Sequence, residues 1–337
     1  MKIKAFHITI GNATDVGKVR EQNEDYMAHF VTPLGYCALV CDGMGGSAAG
    51  EEASQQAVAA IKYYLQDEKN ACIAIPTALK NAIEFANYQL RELVQQNAAL
   101  KGMGTTCVLA LIKGAELFVA HVGDSRLYLL RNKDIQQVTR DHSTVQNLID
   151  AGALTEKEAG QSDKRNQITK AIGIFEKVEP AITDVAIPLM QHDKILLCSD
   201  GLTAHVNRQI IKSTISSARD VQVAAMQLIA KANDNGGTDN ITVQLIQYTG
   251  RSFDKPGKSR LKKYMMVTIL FLLVAVGGIF AYKEVMFTKS KSNTDYPTQQ
   301  DTSRSIIRSA GATDSPPKKS MKNNSMPKVK TNDSQKK

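Results

Sequence analysis

Cysteine is scarce and unclustered in this 337-residue chain. The five present, Cys37, Cys41, Cys72, Cys107 and Cys198, are odd in number and show no Cys-x-x-Cys or Cys-His spacing. That argues against a disulfide framework and a zinc site, and suits reduced thiols in a cytosolic compartment. The first eleven residues hold two lysines but no continuous apolar run, so no signal peptide is expected. Up to Gly250 the chain also lacks a basic excess, with 24 Lys+Arg against 27 Asp+Glu. The net charge of +9 comes from the remainder, where 18 bases face 6 acids. A folded part that is slightly acidic has no basic face for nucleic acid, and none is expected as a partner.

What is present is a set of acidic turns at strand ends. Asp42-Gly43 follows the apolar run from Tyr36, and Asp200-Gly201 follows the run from Ile195. Gly123-Asp124-Ser125-Arg126 follows Leu117 to Val122, and Thr238-Asp239-Asn240 precedes Ile241 to Ile246. A buried strand ending in Asp-Gly brings a carboxylate to the rim of a core. Four such aspartates without a Cys/His cluster describe an oxygen-rich site for a hard cation, Mg²⁺ or Mn²⁺.

Helical periodicity is expected over Ala48 to Leu65, over Pro76 to Leu100 with a Leu79, Ile83, Ala86, Leu90, Leu93 stripe, and over Ala218 to Asn233. Strands are expected over Tyr36 to Cys41, Thr105 to Ile112, Glu116 to His121, Arg126 to Leu130, Asp193 to Ser199 and Asn240 to Tyr248. The polar stretch Asp141 to Lys170, with a short helix near Val145 to Ile149, reads as an exposed flap. Strands and helices segregate, which favours an α+β fold with antiparallel sheets covered by helices.

Arg20-Glu21-Gln22-Asn23-Glu24-Asp25, the Asp42 run, Gly104-Thr105-Thr106, Gly123-Asp124-Ser125-Arg126, Asp200-Gly201 and Gly237-Thr238-Asp239-Asn240 occur in an order that resembles the protein phosphatase 2C family, most of all its compact bacterial type. An Asp-Gly turn alone is common chemistry; six motifs in register are specific. The resemblance runs from about Asn12 to Tyr248. It implies an α/β/β/α sandwich of two antiparallel sheets flanked by helices, and a metal-dependent protein Ser/Thr phosphatase acting through water activated between two Mn²⁺ or Mg²⁺ ions, with a possible third. By resemblance Asp42 bridges the two ions and the Gly43 carbonyl binds one. Asp200 and Asp239 hold the other, and Asp124 serves the third. Glu24 and Asp25 then hold metal waters, and Arg20 clamps phosphate. Where eukaryotic members carry histidine, Met44 stands here, and methionine cannot donate a proton. A metal-held water, or else His142, is left as the general acid, while His121 reads as packing. The implied partners are phosphorylated Ser/Thr proteins, with a bacterial-type Ser/Thr kinase and its substrates among them. A phosphoprotein-binding pseudophosphatase is the alternative, disfavoured because each ligand position is acidic.

The domains expected are a catalytic domain over 1–250, a basic linker over 251–263, a transmembrane helix over 264–282 and a disordered basic tail over 283–337. Tyr264 to Tyr282 is 19 residues without a charge, roughly 28 Å of helix against a ~30 Å hydrocarbon core. Six Lys/Arg lie in the twenty residues before it and three in the twenty after. The positive-inside rule then predicts a single-pass protein of the cell membrane with its catalytic domain in the cytoplasm.

Overall fold

The computed structural model describes residues 1–45, 49–251 and 258–290. Strands β1 (Lys2–Ile3), β2 (Ile8–Asp15), β3 (Asp25–Thr32) and β4 (Gly35–Met44) lead into helices α1 (Ala49–Gln66) and α2 (Ile75–Gln96). The chain returns through β5 (Gly104–Thr105), β6 (Cys107–Lys113), β7 (Glu116–Val122), β8 (Arg126–Arg131) and β9 (Asp134–Gln137). Helices α3 (Thr144–Asp150) and α4 (Glu156–Gly160) form the flap, followed by β10 (Ala181–Ile182), β11 (Ile187–Pro188) and β12 (Lys194–Cys198). Helices α5 (Asp200–Thr203), α6 (Arg208–Ser217) and α7 (Val221–Asp234) precede the closing strand β13 (Ile241–Tyr248).

Two antiparallel sheets result, one ordered β1-β2-β13-β12-β8-β9 and the other β10-β7-β6-β4-β3. Alternation along each strand explains why the expected strands read as unbroken apolar runs. In β4, Cys37, Leu39 and Cys41 pack with Ala57, Ile61, Leu79 and Ile83 of α1 and α2. The intervening Tyr36, Ala38 and Val40 face the other sheet, among Ile195, Leu197 and Ile246. Leu196 and Cys198 turn the opposite way, onto Leu228 and Ala232 of α7. Three cores therefore separate four layers, in the helix–sheet–sheet–helix order implied by the resemblance.

The helix expected over Ala218–Asn233 is present as α7 and starts later, because Ala218 ends α6 in an extended conformation and Asp220 caps α7 by accepting from the Val223 N–H; α6 itself was not expected. The strands β2 and β3 carry no long apolar run and escaped the sequence reading.

The chain divides after Gly257, and the described part of the second unit is a single helix. This helix, α8 (Lys258–Ser290), begins inside the expected linker and ends inside the expected tail, and 291–337 lie outside the described residues. Among the described residues no helix is long and apolar enough to cross a membrane, so the structure does not support the span expected over 264–282.

Candidate active site

The site is built outward from Asp42. Its N–H donates to Thr106 Oγ1 at 3.0 Å, and its carbonyl accepts from the Thr106 N–H at 2.8 Å and Thr105 Oγ1 at 2.9 Å. The Thr105-Thr106 pair thus fixes the end of β4. Thr106 Oγ1 also meets Ser125 Oγ at 2.7 Å, tying this end to the turn that carries Asp124. Gly43 leaves no room for a side chain, since a Cβ there would sit 1.9 Å from the Gly50 carbonyl oxygen. This close approach seats the first turn of α1 against the site.

Asn240, to which the sequence reading assigned no role, organises the opposite wall. Its Oδ1 accepts from the Glu24 N–H at 2.8 Å, and its Nδ2 donates to the carbonyls of Val16 and Gln22, both at 2.9 Å. One amide thereby clamps the loop bearing Arg20 and Glu24 beside Asp239. Arg20 Nη2 donates to Asp239 Oδ2 at 2.9 Å, and Nη1 lies 3.6 Å from Glu24 Oε2. Its side chain stays 47% exposed, open to a ligand from solvent.

Arg20, Glu24, Asp42, Gly43, Asp124, Asp200 and Asp239 all line one open cleft of about 620 Å³, together with Met44 and Thr106. Asp25 does not line it. Paired in register with Asp42, it lies buried beneath the cleft floor; Ser199 Oγ donates to its Oδ2 at 2.7 Å, and its Oδ1 has no partner. Burial first, then the neighbouring carboxylates, push these acids upward. Asp25 rises to about 7 and Asp124 to about 8. Asp42 stands well above the usual carboxylate range, and Asp200 is raised as well. Each buried carboxylate penalises ionisation of the next, and a positive ion in the cleft would relieve them all.

Among the described residues no group of three His, Cys, Asp or Glu is placed to hold a metal ion. The donor chemistry nevertheless fits a hard divalent cation: the cleft offers carboxylate oxygens, a carbonyl at Gly43 and no thiolate or imidazole ligand. The unpartnered Oδ1 of Asp25 is a buried oxygen directly below.

His142 is not built as a general acid. Its Nδ1 accepts from the Gly123 N–H at 3.2 Å, its own N–H donates to the Gly123 carbonyl, and its carbonyl accepts from the Thr169 N–H. Burial and nearby Lys170 lower it to about 4, and it stacks on His121 with ring centroids 4.6 Å apart. His121, lowered to about 3 chiefly by burial, packs as expected. Arg126 is likewise structural, held by two nitrogens on Asp141 at 2.6–3.0 Å.

Residues 32–241 match the family described as Protein phosphatase 2C. The chain is 36% identical over 240 residues to the serine/threonine phosphatase stp of Listeria welshimeri, covering 69% of this chain and 93% of that protein. It superposes with a TM-score of 0.66 on the serine/threonine phosphatase PstP/Ppp of Mycobacterium tuberculosis, at 34% identity over 72% of this chain and 99% of that one. A structure of the PstP catalytic domain in complex with two manganese ions aligns with a TM-score of 0.64, 34% identity and the same coverage. The chain belongs to the protein phosphatase 2C family, and with it to the protein serine/threonine phosphatases.

Proposed function

We propose that this chain hydrolyses phosphoserine and phosphothreonine esters on proteins with the help of Mn²⁺ or Mg²⁺. The carrying observation is the convergence of Asp42, Asp124, Asp200, Asp239 and Glu24 on one cleft with a single arginine, Arg20, at its mouth. Asp42, the Gly43 carbonyl, Asp200 and Asp239 would hold two ions, and Asp124 a third. The PstP catalytic domain bound to two manganese ions supports that reading. When bound, such ions shield the phosphoryl charge and make a water acidic enough to attack near neutral pH.

The chain's own groups supply position and charge. Arg20 offers a planar donor to the phosphoryl oxygens at an exposed position, as suits a phosphate clamp. Hydrolysis joins the water oxygen to phosphorus and releases the serine or threonine oxygen, which must gain a proton. Met44 has none to give, and His142 is not among the residues lining the cleft and is kept neutral near pH 7 by burial. Water in the cleft is therefore the proton source.

The test is hydrolysis of phosphothreonine peptides by the full chain with Mn²⁺ and with excess chelator. Turnover with metal and none without it is expected, and undiminished turnover in chelator would end this reading.

An opposing Ser/Thr kinase follows from the substrate class. Attachment to the cell membrane, with the catalytic domain in the cytoplasm, rests on the uncharged 19-residue run and its flanking charges. Recovery of the full chain in the soluble fraction after lysis would overturn the attachment.

A further inference from the structure

A second groove, of about 580 Å³, lies between the flap helices α3 and α4 and the α5–α6 junction. It shares Asp124, Asn166 and Asp200 with the catalytic cleft, so the two are continuous. Away from these shared residues its charge character changes. Two arginines of this region are satisfied: Arg126 by Asp141, also in the groove, and Arg140 by Asp150. Arg165 on the flap and Arg208 on α6 line the groove, are exposed, and form no ion pair among the described residues. Glu156 is the one further acid on the lining.

Arg208 also sits against local preference. It is the first residue of α6, whose first turn holds no acid, and a cation there opposes the helix macrodipole. A residue that breaks a local rule without a partner to compensate marks a place to look for function.

We infer that this groove binds an anionic side chain of the substrate protein, a carboxylate or a second phosphoryl group, a few residues from the phosphoserine or phosphothreonine being cleaved. Arg165 and Arg208 hold it from the flap and from α6 while the phosphorylated residue occupies the adjoining catalytic cleft. The substrate is thus held at two points, which fixes its direction. The inference rests on the phosphatase reading above and adds sequence preference to it.

The test compares phosphothreonine peptides that differ by one residue, Glu, Gln or phosphoserine, moved stepwise over about five positions on either side. Full-chain protein with Mn²⁺ is used, and kcat/KM is measured for each. At the matching position the Glu peptide is expected to exceed the Gln peptide by about fivefold or more, as suits a charge-assisted contact. The ratio falls towards one in the Arg165→Gln/Arg208→Gln double variant and with added salt, and inverts in Arg208→Glu. A gain with phosphoserine alone assigns the groove to doubly phosphorylated substrates. Both peptides cleaved at equal rates in every position by the wild type would overturn the inference and leave the phosphatase reading intact, as would a preference that survives in the double variant. Cleavage of none of the peptides would defeat the phosphatase reading and this inference with it. Both substitutions are on exposed side chains, and thermal melting checks that the variants fold.

Discussion

The hydroxyl of Ser199 donates to the buried carboxylate of Asp25 across 2.7 Å, joining the end of β12 to the start of β3 beneath the acidic cleft. The Thr242 N–H donates to the same hydroxyl at 3.0 Å, so the Ser199 proton is left for Asp25. Ser199→Ala should therefore strand a buried acceptor and destabilise the domain by about 1–3 kcal/mol. It should also raise the Mn²⁺ concentration needed for half-maximal activity, because Asp200 is the next residue. Chemical denaturation and a metal titration read the two effects, and unchanged values in both would reduce Ser199 to filler.

Asp42→Asn and Asp239→Asn should each lower kcat by about two orders of magnitude or more, since each removes one negative charge from the proposed cation site. Calorimetry with Mn²⁺ should show weaker binding in both. A variant that binds metal as tightly as the wild type would remove its residue from the ligand set.

The pH dependence of stability in excess chelator follows from the raised carboxylates. Asp25 at about 7 and Asp124 at about 8 hold protons in the folded state that the unfolded chain, near 3.8, has already lost. Their contribution is fully present below the unfolded value and is lost as pH rises through 7 and 8. His121 and His142 act in the opposite sense, but only below their unfolded value of 6.5. Melting temperature should therefore fall between roughly pH 6.5 and 8.5 in chelator, and Mn²⁺ should flatten the slope. A melting temperature that rises over this window without metal would contradict the assigned shifts.

His142→Ala should loosen the Gly123–Asp124 turn and the base of the flap while leaving the shape of the pH–rate profile unchanged. The lost side-chain contact at Gly123 costs about 1–3 kcal/mol if no water replaces it. Loss of a protonation step from the profile in this variant would restore His142 as the proton donor.

Much of the fold was legible because β4, β6, β12 and β13 are buried on both faces, and such strands must read as unbroken apolar runs. The edge strand β3 and the half-polar β2 gave no such signal. The aspartates of the cleft were legible for a related reason. Each stands at or beside the edge of an apolar run, where polarity changes abruptly, although β4 does not turn at Asp42-Gly43 as expected and runs on to Met44.

Glu24 and Asp25 mark where this stops. They are neighbours in sequence and share one expected role, yet Glu24 lines the cleft while Asp25 lies beneath its floor. Glu24 precedes β3 and its N–H is held by Asn240, whereas Asp25 opens β3 and accepts from Ser199, so contacts from distant strands decide which one lines the cleft. The clamp at Asn240, the commitment of His142 to Gly123 and the unpaired arginines of the flap groove were hidden for the same reason. The sequence by itself determined the apolar strands, the acidic residues available to a cation and the resemblance that implied the layers, because burial patterns, turn chemistry and motif order are all written locally. Only the tertiary structure decided what each residue does there, because those roles depend on contacts closed between positions as much as 224 residues apart.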